Sequence, residues 1–135
     1  MLFRLPPEAL VLLIPTLMFA LSFHEFAHAW MAAKCGDTTA ARMGRLSLNP
    51  MAHLDMMGSL MILFVGFGWA KPVPVNPINL DNPRTDMMII AGAGPASNLL
   101  LAIIGGVSIR LFIQPNGLLG IFASDTLIQL LYYFT

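Results

Sequence analysis

The sequence predicts an all-α membrane protein with about three transmembrane helices, a short or re-entrant apolar segment and a small interfacial hairpin or loop. Three observations predict it. Of 135 residues, 57% are hydrophobic and only 10% charged, where soluble domains carry roughly 25% charged residues. The mean hydropathy is +0.75. The apolar residues gather into long runs, separated by stretches that carry the prolines and most of the charges. A soluble domain of this length would need far more polar surface to cover its core. The chain is therefore expected to form one membrane-embedded unit, residues 1–135, in contact with a lipid bilayer.

Taken in order, the first apolar run follows Arg4 and extends from Ala9 to Ala33. No small-residue cleavage site interrupts it, so it reads as a membrane helix from Pro7 to Lys34 and not as a signal peptide. Pro7 is tolerated in the first turn. Pro15 lies inside the helix, where it should kink the axis or free a carbonyl one turn earlier. From Cys35 to Pro50 the run CGDTTAARMGRLSLNP is interfacial or aqueous, and the mixed alternation of Thr38 to Leu48 suits a small hairpin or edge strand. Residues 56–70, MMGSLMILFVGFGWA, are apolar but interrupted by Gly58, Gly66 and Gly68. A full crossing needs about 20 residues, so a short or re-entrant segment is expected there. KPVPVNPINLDNP, with prolines at 72, 74, 77 and 83, predicts an extended loop. Residues 87–113 predict a spanning helix that carries the small-residue patch AGAGPASN. Leu118 to Phe134 is a further apolar segment at the short end of the spanning range.

Charge placement orients this arrangement. Lys34, Arg42, Arg45, Lys71 and Arg84 lie between the first helix and the one starting near Met87, while only Arg4 and Arg110 lie elsewhere. Positive-inside bias places residues 34–86 on the cytoplasmic side, with the cell (plasma) membrane as the expected location. Arg110 can snorkel outward from the far end of its helix. Formal net charge is zero, and no basic stripe is present, which argues against a nucleic-acid partner. Cys35 is the single cysteine, so no intrachain disulfide is possible. The ten methionines read as flexible core and lipid-facing filler.

Chemistry concentrates in LSFHEFAHAWMAA, residues 21–33. On a helix His24 and His28 lie one turn apart, so both imidazoles can reach one metal ion. Glu25 sits about 100° round the helix, where a carboxylate acts on water and not on the metal. Three ionisable groups in an apolar helix point to function. Taken alone, the cluster is also compatible with a polar knot between helices, or with part of a haem or metal-transport site.

Four ordered stretches narrow this. FHEFAHAWMAAKCGD, GRLSLNPMAHLDMMG, GWAKPVPVN and AGPASN together resemble the site-2 protease family of intramembrane zinc metalloproteases, in its compact prokaryotic branch. The resemblance runs from about Ser22 to Leu101. It implies a single membrane-embedded peptidase domain that cleaves transmembrane or membrane-embedded polypeptides. It also implies one Zn²⁺ per chain held by His24 and His28, with Glu25 as catalytic acid/base, and Asn98 near the active site, helping to place the substrate. Without covalent catalysis, Glu25 would take a proton from water and later return it to the leaving amine.

Family members carry a third zinc ligand, an aspartate in a Leu-Asp-Gly motif on a later helix, and no such motif occurs in these 135 residues. The chain is accordingly expected to be truncated at its C-terminus. Within it, Asp55 and His53 are the candidate substitutes, against a reading in which the two organise a turn by hydrogen bonding. Asp125 is expected to pair with backbone or with Arg110. Gly92, Gly94, Ala96 and Ser97 read as residues that allow close helix approach, and Asn98 is equally compatible with interhelical hydrogen bonding. The alternating Val and Pro of Lys71 to Asn82 suggest an edge that binds extended substrate by strand addition. The alternative function is an inactive relative that binds metal or partner helices.

Overall fold

The computed structural model describes residues 6–113, so the apolar segment Leu118 to Phe134 and Asp125 lie outside the described residues. The chain runs through α1 (Pro7–Lys34), α2 (Thr39–Arg42), α3 (Met56–Val65) and α4 (Pro83–Ser108). Single 3-10 turns occur at Pro50–Ala52 and Pro77–Asn79, and a π-helical turn at Ile109–Ile113 follows α4. The described residues divide into two units between Asn98 and Leu99. The described part of the second is the C-terminal stretch of α4 with its π-helical turn.

Two helical stretches, Pro7–Lys34 and Pro83–Phe112, are long and apolar enough to cross a membrane. At 1.5 Å per residue α1 is about 42 Å long, more than the roughly 30 Å of a hydrocarbon core. Pro15 is accommodated within α1, and beside it Thr16 Oγ1 donates to Leu12 O at 2.7 Å. Large apolar side chains along both stretches stay exposed, among them Val11, Leu12, Leu99 and Ile103. The buried apolar core of the described residues is small: Ala29, Ala32, Ala40, Leu80 and Ile90. Apolar surface of this extent marks contact with lipid or another apolar partner.

Helix α1 ends in a Schellman motif. Gly36 takes φ +105°, Gly36 N–H donates to Ala33 O and Asp37 N–H to Ala32 O, which uses up carbonyls the helix end would leave open. Asp37 then accepts from Thr39 N–H at 3.1 Å and from Thr39 Oγ1 at 2.5 Å. That local turn nucleates the one-turn helix α2. The expected hairpin or edge strand at Thr38 to Leu48 is thereby corrected: a side chain that satisfies the backbone two residues on favours a turn over an extended strand. Among the described residues the only β pairing is an isolated antiparallel bridge, Leu54 to Ala70.

That bridge closes the neck of the 56–70 segment. Asp55 caps α3 by accepting from Gly58 N–H at 2.8 Å, and Gly66 ends it at φ 85°. With 10 residues, α3 rises about 15 Å, half a bilayer core. The chain then returns, and Lys71 N–H donates to His53 O at 2.8 Å. The two ends of the segment therefore lie side by side. Two glycines permit the return. A Cβ at Gly58 would fall on the Trp69 carbonyl, and one at Gly68 on the Gly58 carbonyl. Buried Arg45 clamps the neck from outside, donating to Ala52 O at 2.7 Å and Lys71 O at 3.2 Å.

The proline-rich loop is tied to the end of α1. Asp37 Oδ2 accepts from Asn76 N–H at 2.7 Å and Oδ1 from Asn79 Nδ2 at 2.9 Å. Burial works against the Asp37 charge, but the bonds from Asn79, Thr39 and Asn76 outweigh it and hold the carboxyl down to about 2. Helix α4 begins at Pro83, before the expected residue 87. Proline is pre-shaped for the first helical position, and Asn82 N–H donates to Asp86 Oδ2 at 3.0 Å while Asp86 N–H donates to Asn82 O at 2.8 Å.

Candidate metal centre

His24 and His28 lie toward the C-terminal end of α1. Their rings sit 4.7 Å apart between centroids, at 81° to one another. What faces them is α4. His28 Nδ1 lies 2.7 Å from Ile90 O, and His24 Nδ1 lies 3.1 Å from Asn98 Nδ2. Both Nε2 atoms point to the same place. A Cβ built on Gly94 would lie within 2.5 Å of His24 Nε2 and of His28 Nε2 alike. Glycine at 94 therefore leaves a space on which two nitrogen donors converge. A carbonyl can only accept, so the Ile90 contact puts the His28 proton on Nδ1 and leaves its Nε2 lone pair free.

Beside the pair lies a cleft of about 350 Å³. Glu25 and His28 line it together with Pro72, Val73 and Val75 of the loop and Met87, Ile90 and Ala91 of α4. The residue next to the first histidine thus reaches the same space as the second. The cleft is mainly apolar, and Glu25 and His28 are the titratable groups among its lining residues. Helix α4 carries Pro95, which has no N–H for the Ala91 carbonyl on that wall.

The weaker ligand candidates take other work. His53 is fully buried, but its Nε2 bonds Ser47 O at 2.6 Å, and Asp55 is occupied with the α3 cap. Among the described residues no group of three His, Cys, Asp or Glu could hold a metal ion, so neither His53 nor Asp55 completes the pair. Asn98 is correspondingly found against His24 and not among the residues that line the cleft. Burial and the nearby Asp86 charge push the Cys35 thiol up, which suits an ordinary half-buried cysteine. Sequence reasoning missed Gly94 as the residue that clears the site, and Asp37 and Arg45 as the ties that hold the loop. For Gly94 the only sequence signal is its place beside Pro95 in the small-residue patch. The Ile90 contact is made by backbone and leaves no sequence signal at all.

Paired imidazoles one turn apart, on an apolar helix with a carboxylate between them, are the mark of a zinc-hydrolase helix set among membrane-type helices. The chain is 48% identical over 100 residues to a Bacillus subtilis protein named "Putative zinc metalloprotease YwhC", covering 74% of this chain and 46% of that one. It is 32% identical to two proteins named "Putative zinc metalloprotease Rip2". For that of Mycolicibacterium smegmatis the match covers 70% of this chain and 38% of the relative, and for that of Mycobacterium tuberculosis 78% and 42%. The chain belongs to the site-2 protease family of zinc metalloproteases. It spans less than half the length of these curated relatives. No family model matches the chain, and no solved structure matches it.

Zinc is the ion these names imply. The donor set fits two arms of its site, since two imidazole nitrogens converge on one cleared point. Catalytic zinc takes three protein ligands, and the described residues supply no third.

Proposed function

We propose that this chain carries the His-Glu-x-x-His part of an intramembrane zinc protease, with one ion held by His24 and His28 and the third donor from outside the described residues. The observation that carries this reading is the convergence of both Nε2 atoms on the space cleared by Gly94, next to a cleft lined by Glu25. Bound zinc supplies Lewis acidity, lowering the pKa of water to about 7 and polarising a carbonyl oxygen. Glu25 takes a proton from the attacking water and passes it to the leaving amine, so no covalent intermediate with the protein is needed.

The substrate is a transmembrane polypeptide, which must arrive unwound, because an intact helix keeps its carbonyls internally bonded. The loop suits an unwound chain. Pro72 and Pro74 have no N–H, while the N–H groups of Val73 and Val75 have no partner among the described residues. In an extended backbone alternate residues share an edge. One edge of this wall thus offers donors and the other does not, so an extended substrate can add as a strand on one side only. The charge distribution supports a cell-membrane location with residues 34–86 in the cytoplasm.

The test compares the unmodified chain with Glu25→Gln for zinc content and for cleavage of a membrane-embedded substrate. Retained zinc with hydrolysis reduced by roughly 10²–10⁴-fold is expected for loss of the proton carrier. Absence of cleavage by the unmodified chain would instead favour an inactive relative that binds metal or a partner helix.

A further inference from the structure

Helix α4 holds both histidines through their Nδ1 atoms, but with different groups. Ile90 offers a carbonyl, which leaves one arrangement of the His28 protons. Asn98 offers a side-chain amide, which has a donor end and an acceptor end related by a half-turn about its last torsion. With the NH₂ toward His24, the orientation the structure has, Nδ1 accepts and the ring proton moves to Nε2, where the Gly94 backbone is its hydrogen-bond partner, so that nitrogen has no lone pair for a metal. This arrangement also leaves Asn98 Oδ1 buried without a partner. With the carbonyl toward His24, Nδ1–H donates and Nε2 is free, which is the state that Ile90 imposes on His28.

We infer that Asn98 is a positioning residue for His24: its amide carbonyl accepts from His24 Nδ1–H, selects the tautomer with a free Nε2 and aims the ring at the space beside Gly94. The inference rests on the metal-binding reading above and deepens it. It gives Asn98 a role distinct from substrate placement, since its side chain meets the imidazole at 3.1 Å and does not line the cleft. Partners of this kind orient a ligand and raise its basicity, and their loss typically weakens metal affinity 10–100-fold.

The test is zinc affinity of the full chain in detergent, by chelator competition, with thermal melting alongside, for the parent, Asn98→Asp, Asn98→Leu and a His24→Ala/His28→Ala variant. A carboxylate accepts from Nδ1–H as an amide carbonyl does, whereas leucine fills the space without accepting. The parent and Asn98→Asp should therefore bind zinc comparably, with Asn98→Leu weaker by about 10–100-fold at an unchanged melting temperature. Asn98→Leu binding as tightly as the parent, or Asn98→Asp as weakly as Asn98→Leu, overturns the inference. A parent that binds zinc no better than the double histidine variant overturns the metal reading itself and the inference with it. If Asn98→Leu does not fold, ¹⁵N spectra of the His24 ring in the zinc-free parent and Asn98→Asp chains decide. A protonated Nδ1 in both is expected, and an unprotonated Nδ1 in the parent refutes the role.

Discussion

Substituting Gly94 by alanine should separate the metal site from the fold. The added Cβ would lie within 2.5 Å of both Nε2 atoms and 2.6 Å from His28 Cε1, where ordinary contact begins at 3.4 Å. To admit it the His28 ring must retreat by about 1.0 Å, from 2.4 to 3.4 Å at Nε2, or α4 must shift by as much. Overpacking of this kind costs about 1–3 kcal/mol, and replacing a helical glycine by alanine returns roughly 1 kcal/mol. Net destabilisation should therefore stay near 0–2 kcal/mol. The metal cannot be compensated in the same way, because the methyl group occupies the space where the two nitrogens converge, and merely disturbing the orientation of a ligand costs about 10–100-fold in affinity. Gly92→Ala is the control, since a Cβ there meets nothing within 4 Å. Zinc titration and thermal melting of both variants in detergent provide the measurement. Gly94→Ala should lose zinc affinity by at least about 10–100-fold while still melting cooperatively, with Gly92→Ala unchanged in both. Parent-like zinc affinity in Gly94→Ala would show that the imidazoles do not meet at this point.

The Asp37 carboxyl sits at about 2 in the folded chain against an ordinary 3.8, so its charged form is the one that folding favours. Its contribution is complete above about pH 4 and is lost as pH falls from there through about 2. Melting temperature followed from pH 5 to 2 should fall in that window, and Asp37→Asn should flatten the slope while lowering stability at neutral pH by about 2 kcal/mol; an equal slope in the variant would refute the assignment. For the loop edge, Val73→Pro removes one of the two unpaired N–H groups. If substrate adds as a strand, cleavage should fall by about tenfold, one hydrogen bond's worth, with zinc content unchanged, and undiminished turnover would count against strand addition.

The first helix was legible in full, from Pro7 to Lys34, because one unbroken apolar run with a proline at its start admits few alternatives. So was the pairing of His24 with His28, since helical geometry alone stacks residues four apart, whatever surrounds them. The brevity of the 56–70 segment followed from its length and glycines, and the departure from helix at residues 71–82 from its prolines. Local rules failed at Thr38 to Leu48, where alternation pointed to a strand and the Asp37 side chain instead wound a turn. They were silent on everything contributed across the helix interface. Gly92 and Gly94 are two residues apart in one small-residue patch, yet about 200° apart round the helix, and only one of them faces the imidazoles. Whether a nitrogen finds the Ile90 carbonyl or the Asn98 amide depends on how α4 lies against α1, more than sixty residues away in the chain. Sequence by itself determined which groups share a helical turn, because backbone periodicity is local. Tertiary packing alone decided what those groups face, and hence where the two nitrogens converge.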